Sequence, residues 1–218
     1  MAQRPRSDDE AYAGPGSRPS TFEDAGLVER VNRGETEAYA ELVRKYQDRI
    51  FNACWRICGN LEDARDITQE AFLKAYEGLS GFRGESGFYT WLYRVAVNLA
   101  LSHRRSAGRR RTVSLDQVSE ASGTQAEDLA RRFRGNDDDA TRAVDEAERL
   151  GAAARALQAL DDGHRAVVVL RDIEGFDYQE ISVILEIPPG TVKSRLHRAR
   201  LALRSAIVRA LPSESGSA

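Results

Sequence analysis

Asp177-Tyr178-Gln179-Glu180-Ile181-Ser182-Val183-Ile184-Leu185-Glu186-Ile187-Pro188-Pro189-Gly190-Thr191-Val192-Lys193-Ser194-Arg195-Leu196-His197-Arg198-Ala199-Arg200 is the stretch that decides the fold. Asp177 and Glu180 have the spacing of a capping box, so a short helix starts there. Pro188 and Pro189 stop it, because proline has no amide to donate and clashes with the preceding turn. Thr191 is the expected cap of a second helix. At 100° per residue, Val192, Leu196, Ala199 and Leu203 share one face of that helix. Ser194, His197, Arg198 and Leu201 lie opposite, with Lys193 and Arg200 on a flank. Two helices joined by a tight turn have helix-turn-helix form. An outward face of Lys, Ser, His and Arg is either an ordinary solvated surface or one that reads a DNA major groove, and the acid-free charge favours the second.

The same period continues upstream. Leu42, Tyr46, Ile50, Cys54 and Ile57 form one stripe between Thr36, a candidate cap, and Gly59. Asn60 is placed to cap a further helix with Leu61, Ala64, Ile67, Ala71 and Ala75 inward, and Glu62 and Asp63 in its first turn, where the helix dipole favours acids. A short helix at about Asp24–Arg33 precedes these two. A fourth follows the loop Ser80–Glu85, capped by Ser86 and running to about Ser106. Beyond the linker, helices are expected at about Ala143–Leu160, Gly163–Ile173, Tyr178–Leu185 and Gly190–Leu211. Ala166-Val167-Val168-Val169-Leu170 has the composition of a buried strand, but its flanking Asp161-Asp162 and Gly175 favour a short helix. The expected fold class is all-α: two small helical domains joined by a flexible linker. Residues 1–21 are read as a tail, 22–106 as the first domain, 107–142 as the linker with a transient helix at about Ala126–Phe133, 143–211 as the second domain, and 212–218 as a second tail.

The chain has 218 residues, 41% hydrophobic and 30% charged, and a formal net charge of −2. That supports hydrophobic cores and argues against wholesale disorder. No run reaches the roughly 18 apolar residues of a membrane span, and no secretory signal is read in the first 20 residues, so a cytoplasmic protein with no membrane contact of its own is expected. Cys54 and Cys58 are four apart on a buried helix face. Core packing is favoured over a redox or metal role, and no metal site or cofactor is expected.

The small net charge hides segregation. Ser86 to Leu115 holds six basic residues (Arg94, Arg104, Arg105, Arg109, Arg110, Arg111) and no acid; Pro189 to the end holds six more against one, Glu214. Acid-free basic segments point to a polyanion. In the fourth helix Phe88, Leu92, Val95 and Leu99 make the expected core stripe. Tyr89 and Tyr93 lie to one side, Arg94, Asn98 and Arg105 to another, and Phe82 precedes them. Aromatics beside Arg and Asn either pack a core or stack and hydrogen-bond unpaired bases, and for Tyr93, Arg94 and Asn98 periodicity leaves both open. Asp63, Asp66, Gln69 and Glu70 form an acidic face with no opposing catalytic partner, better suited to a basic protein than to acid–base chemistry. No enzyme is expected.

Asp63-Ala64-Arg65-Asp66-Ile67-Thr68-Gln69-Glu70-Ala71-Phe72-Leu73-Lys74-Ala75-Tyr76 resembles region 2.2 of bacterial extracytoplasmic-function (ECF) sigma factors. Phe82-Arg83-Gly84-Glu85-Ser86 with Thr90–Asn98 is similar to their regions 2.3 and 2.4, and Gly190–Arg200 to region 4.2. The resemblance implies a promoter-specificity subunit of RNA polymerase, with Asp63, Asp66, Gln69 and Glu70 on the β′ clamp helices and the second domain on the β flap. It implies capture of a flipped minus-ten base by Phe82, Arg83, Tyr93, Arg94, Asn98 and Arg105. It also implies reading of the duplex minus-35 element by Lys193, Ser194, Arg195, His197 and Arg198, and restraint by an anti-sigma protein. The rival expectation is a freestanding helix-turn-helix regulator that binds its operator alone. The chain departs from the family at Glu186, where glycine is usual at the turn. A positive φ there costs on the order of 1 kcal/mol.

Overall fold

The computed structural model describes residues 21–84, 86–113 and 140–210. The expected tails, most of the expected linker and the transient helix at about Ala126–Phe133 lie outside them. Among the described residues the secondary structure is entirely helical: α1 (Thr21–Asn32), α2 (Thr36–Cys58), α3 (Leu61–Gly78), α4 (Phe88–Val113), α5 (Ala140–Gln158), α6 (Asp162–Val168), α7 (Tyr178–Leu185) and α8 (Pro189–Ala210), with a 3₁₀ turn at Leu79–Gly81 and a π turn at Val169–Ile173. The all-α expectation holds, and the apolar run at Ala166–Leu170 is helical.

Helices α2, α3 and α4 pack on one another, and α1 lies across α2. The expected α2 stripe is the centre of this unit: Leu42, Tyr46, Ile50, Cys54 and Ile57 are all buried. Burial pushes the Cys54 and Cys58 thiols up to about 12, which fits core packing. Asp24, itself buried, pins α1 by accepting from Lys45 Nζ at 2.8 Å and from the Tyr46 hydroxyl. Gly59 ends α2 in the left-handed region (φ 77°), and its amide donates to the Trp55 carbonyl at 2.7 Å. A side chain at Gly59 would also run into the Gln158 amide, whose Oε1 lies 2.5 Å from where a Cβ would stand. Asn60 then caps α3, accepting from the Glu62 and Asp63 amides at 2.8 and 3.1 Å.

In the second unit α5, α6 and α7 each pack against α8, and the π turn touches both α6 and α7. Asp161 caps α6 by accepting from the His164 amide at 2.9 Å. The capping box is formed, with reciprocal 2.8 Å bonds between Asp177 and Glu180. Val192, Leu196 and Ala199 are buried as expected.

Three local expectations are corrected. Glu35, not Thr36, occupies the N-cap of α2, with no side-chain bond. Thr191 lies inside the first turn of α8, which begins at Pro189, where a missing amide costs nothing. Helix α4 starts at Phe88 and runs to Val113, past Ser106.

Glu186 does take the left-handed conformation (φ 54°, ψ 43°) and ends α7, its amide donating to the Ser182 carbonyl. Among the described residues it is the one non-glycine at positive φ. Glu186→Gly is therefore expected to stabilise the fold by about 1 kcal/mol, a rise of roughly 2–4 °C in a thermal melt. A lowered Tm would mean that the prolines, rather than the backbone angle, set the turn.

The two units are not separate. One hydrophobic cluster runs from Leu42 and Leu92 through Val167 and Leu170 to Ile184 and Leu196. The polar contacts across it fix the pairing. Arg104 reaches Asp162 at 2.7 Å, Gln158 Nε2 donates to the Arg56 carbonyl at 2.8 Å, and Arg165 donates to the Ile57 carbonyl at 2.9 Å.

Candidate nucleic-acid interface

Helix α8 presents its expected outward face. Lys193, Ser194, His197 and Arg198 are exposed, and Arg195 is half-buried beside Gly163. The Ser194 hydroxyl donates to the Thr191 carbonyl at 3.1 Å, an internal bond that leaves its lone pairs facing out. Arg200 is committed to Asp172 on the π turn, Nε to Oδ2 at 3.1 Å. From Pro189 to Ala210 the helix contains no acid. A rigid amphipathic helix with free cationic donors on one side, held by a capped neighbour, has the geometry for major-groove contact.

Helix α3 exposes Asp66, Gln69 and Glu70 together. Asp63 sits at the edge of that face, 3.6 Å from His103 Nε2, and Glu70 pairs with Lys74 at 3.3 Å. One turn further on, Leu73 (58% exposed) and Tyr76 (44%) continue the surface with apolar groups. Sequence reasoning missed these two. The signal was present, since Leu73 lies off the Ala64–Ile67–Ala71–Ala75 stripe.

Helix α4 is where structure and expectation diverge most. Phe82 packs over Trp91 at 5.2 Å between ring centres, so the loop is anchored, and Arg83 beside it is exposed. Arg94 and Asn98 are half-buried, and Arg105 is exposed and donates to the Ser102 hydroxyl at 3.1 Å. Tyr93, however, is fully buried, and Tyr89 nearly so. The second unit covers them. Phe176 stacks on Tyr89 (5.2 Å, 21°) and meets Tyr93 edge-on (4.8 Å, 64°). The Tyr93 hydroxyl donates to the Glu174 carboxylate at 2.7 Å, and Arg56 pairs with that carboxylate at 3.2 Å. Burial holds the Glu174 carboxyl above the usual range, opposed by the Tyr93 hydrogen bond and the Arg56 charge. Burial first, and the Glu174 charge second, push the Tyr93 phenol far up. Glu174, Phe176, Arg56 and Arg104 were not singled out as a site, because no local pattern links residues 81 apart. Among the described residues no group of His, Cys, Asp and Glu is placed to hold a metal ion, and no helix is long and apolar enough to cross a membrane.

The described residues thus bring an acidic helix face, an aromatic and basic helix and an acid-free amphipathic helix together on one helical scaffold. The family models for sigma-70 region 2 and sigma-70 region 4 match residues 42–110 and 150–203. The chain is 39% identical over 192 residues to the RNA polymerase sigma-H factor of Pseudomonas aeruginosa, covering 85% of this chain and 94% of that one. It is 36% identical over 180 residues to the ECF RNA polymerase sigma-E factor of Escherichia coli K12, covering 83% and 92%. Two solved structures share its fold: CnrH in complex with the cytosolic domain of CnrY (TM-score 0.59, 24% identity, 86% of this chain and 98% of that one) and RpoE in complex with the anti-sigma factor NepR from Bartonella quintana (0.59, 21%, 78% and 96%). The chain belongs to the sigma-70 family, and within it is an RNA polymerase sigma factor of the ECF type.

Proposed function

We propose that the chain directs core RNA polymerase to promoters through three surfaces with distinct chemistry. Asp63, Asp66, Gln69 and Glu70 dock on the β′ clamp helices, and the second unit (residues 143–211) engages the β flap. Phe82, Arg83, Tyr93, Arg94, Asn98 and Arg105 of the first unit (residues 22–106) take the opened minus-ten strand. Lys193, Ser194, Arg195, His197 and Arg198 read the minus-35 duplex. The observation that supports this reading is the coexistence of an exposed acidic α3 face with an acid-free α8 face. An operator-binding regulator needs only the second. The protein acts in the cytoplasm with polymerase, performs no catalysis of its own, and is held in check by an anti-sigma protein, a partner of the kind that NepR is for RpoE of Bartonella quintana.

Run-off transcription with core polymerase on a genomic fragment library tests it. Wild type is expected to yield discrete transcripts, and Asp66→Ala/Gln69→Ala to reduce them by about tenfold or more, since each lost charged or polar contact at a protein interface costs about 1–3 kcal/mol. Wild type that produces no transcript from any fragment, yet binds duplex tightly alone, would overturn the reading in favour of a freestanding regulator.

A further inference from the structure

The segment Glu174-Gly175-Phe176 of the second unit lies on the aromatic face of α4. Two residues apart, it offers a flat ring and an anion. The ring stacks on Tyr89 and abuts Tyr93, and the carboxylate sits between the Tyr93 hydroxyl and Arg56. A nucleotide of single-stranded DNA offers the same pair of features, a base to stack and a phosphate for a cation and a hydroxyl donor. We propose that Glu174 and Phe176 are a built-in stand-in for a nucleotide of the opened promoter strand, occupying the Tyr89–Tyr93–Arg56 face and keeping the free protein closed until core polymerase parts its two units. This rests on the assignment of Tyr93 to the minus-ten strand.

The seam around the segment joins the two units through a shared apolar core and a few polar contacts. Three of its polar contacts, Arg104 to Asp162, Gln158 to the Arg56 carbonyl and Arg56 to Glu174, are only part-buried and join groups that water can serve once the units part, whereas the buried bond from Arg165 to the Ile57 carbonyl must be offset by the contacts core polymerase supplies. Desolvation weighs against Glu174 as an ionised group, so the closed form holds its carboxylate with less to spare than an open one. A strand-competent state that is only fractionally populated lowers apparent affinity by that fraction, and removing the competitor restores it.

The test uses the full chain with a dye pair on introduced surface cysteines, Glu77→Cys on α3 and Arg204→Cys on α8, both exposed positions. Energy transfer reports closure. The second reading is the affinity of the free protein for a fluorescein-labelled single strand from the nontemplate minus-ten region of a promoter active in the run-off assay, against a scrambled strand. Glu174→Ala/Phe176→Ala is expected to lose transfer and bind the specific strand about tenfold more tightly, with run-off activity in the presence of core polymerase unchanged. Glu174→Lys, which sets like charge beside Arg56 and leaves the apolar core intact, is expected to do the same if the double variant proves unstable. Transfer unchanged in both variants overturns the latch. Transfer lost with strand affinity unchanged overturns the mimicry. If instead Tyr93→Ala leaves strand binding by the opened variant untouched, the strand assignment itself fails, while transfer still reports on the latch.

Discussion

Arg165→Met lowers the stability of the folded chain by about 3–5 kcal/mol, a drop of roughly 1.5–2.5 M in the urea midpoint. Arg165 is 1% exposed. Its guanidinium donates to the carbonyls of Leu157 (3.0 Å), Gln158 (2.8 Å), Ile57 (2.9 Å) and Leu160, with Asp162 at 3.5 Å. Three of these are carbonyls at the end of α5 and just beyond, where a helix runs out of amides to satisfy them; Leu157 alone of the three also accepts from a later amide, that of Leu160 at 3.3 Å. Two effects compete. Burial, helped by Arg104, pushes the Arg165 guanidinium down to about 10, so a neutral side chain of similar length recovers some desolvation cost. Against that stand buried carbonyls left without a donor, each worth about 1–3 kcal/mol. The second wins because the partners are mostly neutral oxygens that Met cannot serve: Ile57 keeps Arg104 at 3.3 Å and Leu157 keeps the Leu160 amide at 3.3 Å, but the Gln158 and Leu160 carbonyls lose their guanidinium donor. A midpoint equal to or above that of wild type would show that water replaces the guanidinium in the seam.

Arg198→Ala is expected to weaken promoter binding by the polymerase complex by about 1–3 kcal/mol, roughly 5- to 150-fold, at sites where it meets a guanine of the minus-35 element. Arg198 is exposed on the face of α8 opposite Val192, Leu196 and Ala199. A base contact and a phosphate contact leave different signatures. Loss of a base contact relaxes preference at one position of the element and leaves the salt slope nearly unchanged. Loss of a phosphate contact weakens all sequences alike and reduces the slope by about one. Footprinting across single-base variants of the element at two salt concentrations separates them. No change on any variant would remove Arg198 from the reading face.

Much of the fold was legible because it is local. A 3.6-residue period exposes which side of α2 or α8 is buried, and capping residues such as Asn60 and Asp177 announce themselves through short-range hydrogen bonds. Helix starts were harder. Thr36 and Thr191 look like caps, but a cap needs extended backbone, and the chain is already helical at both. Tyr89 and Tyr93 were harder still. The wheel set them beside the Phe88–Leu92 stripe, and relative to α2 and α3 alone that is sensible. They are buried because α4 is covered on a second side by a segment more than 80 residues later, and no property of a single sequence records that meeting. The same distinction divides the functional surfaces. The basic face of α8 and the acidic face of α3 are readable as solvent-facing periodicity, whereas the Glu174–Phe176 seat is a tertiary event.

The two sulfur atoms of α2 have a practical corollary. Both thiols are buried, and burial pushes them up to about 12, so little of either is thiolate at neutral pH. Peroxide and maleimide both attack the ionised form, so the folded chain should survive storage in air without reductant, and cysteines added at the surface should take a label while the native pair stays dark.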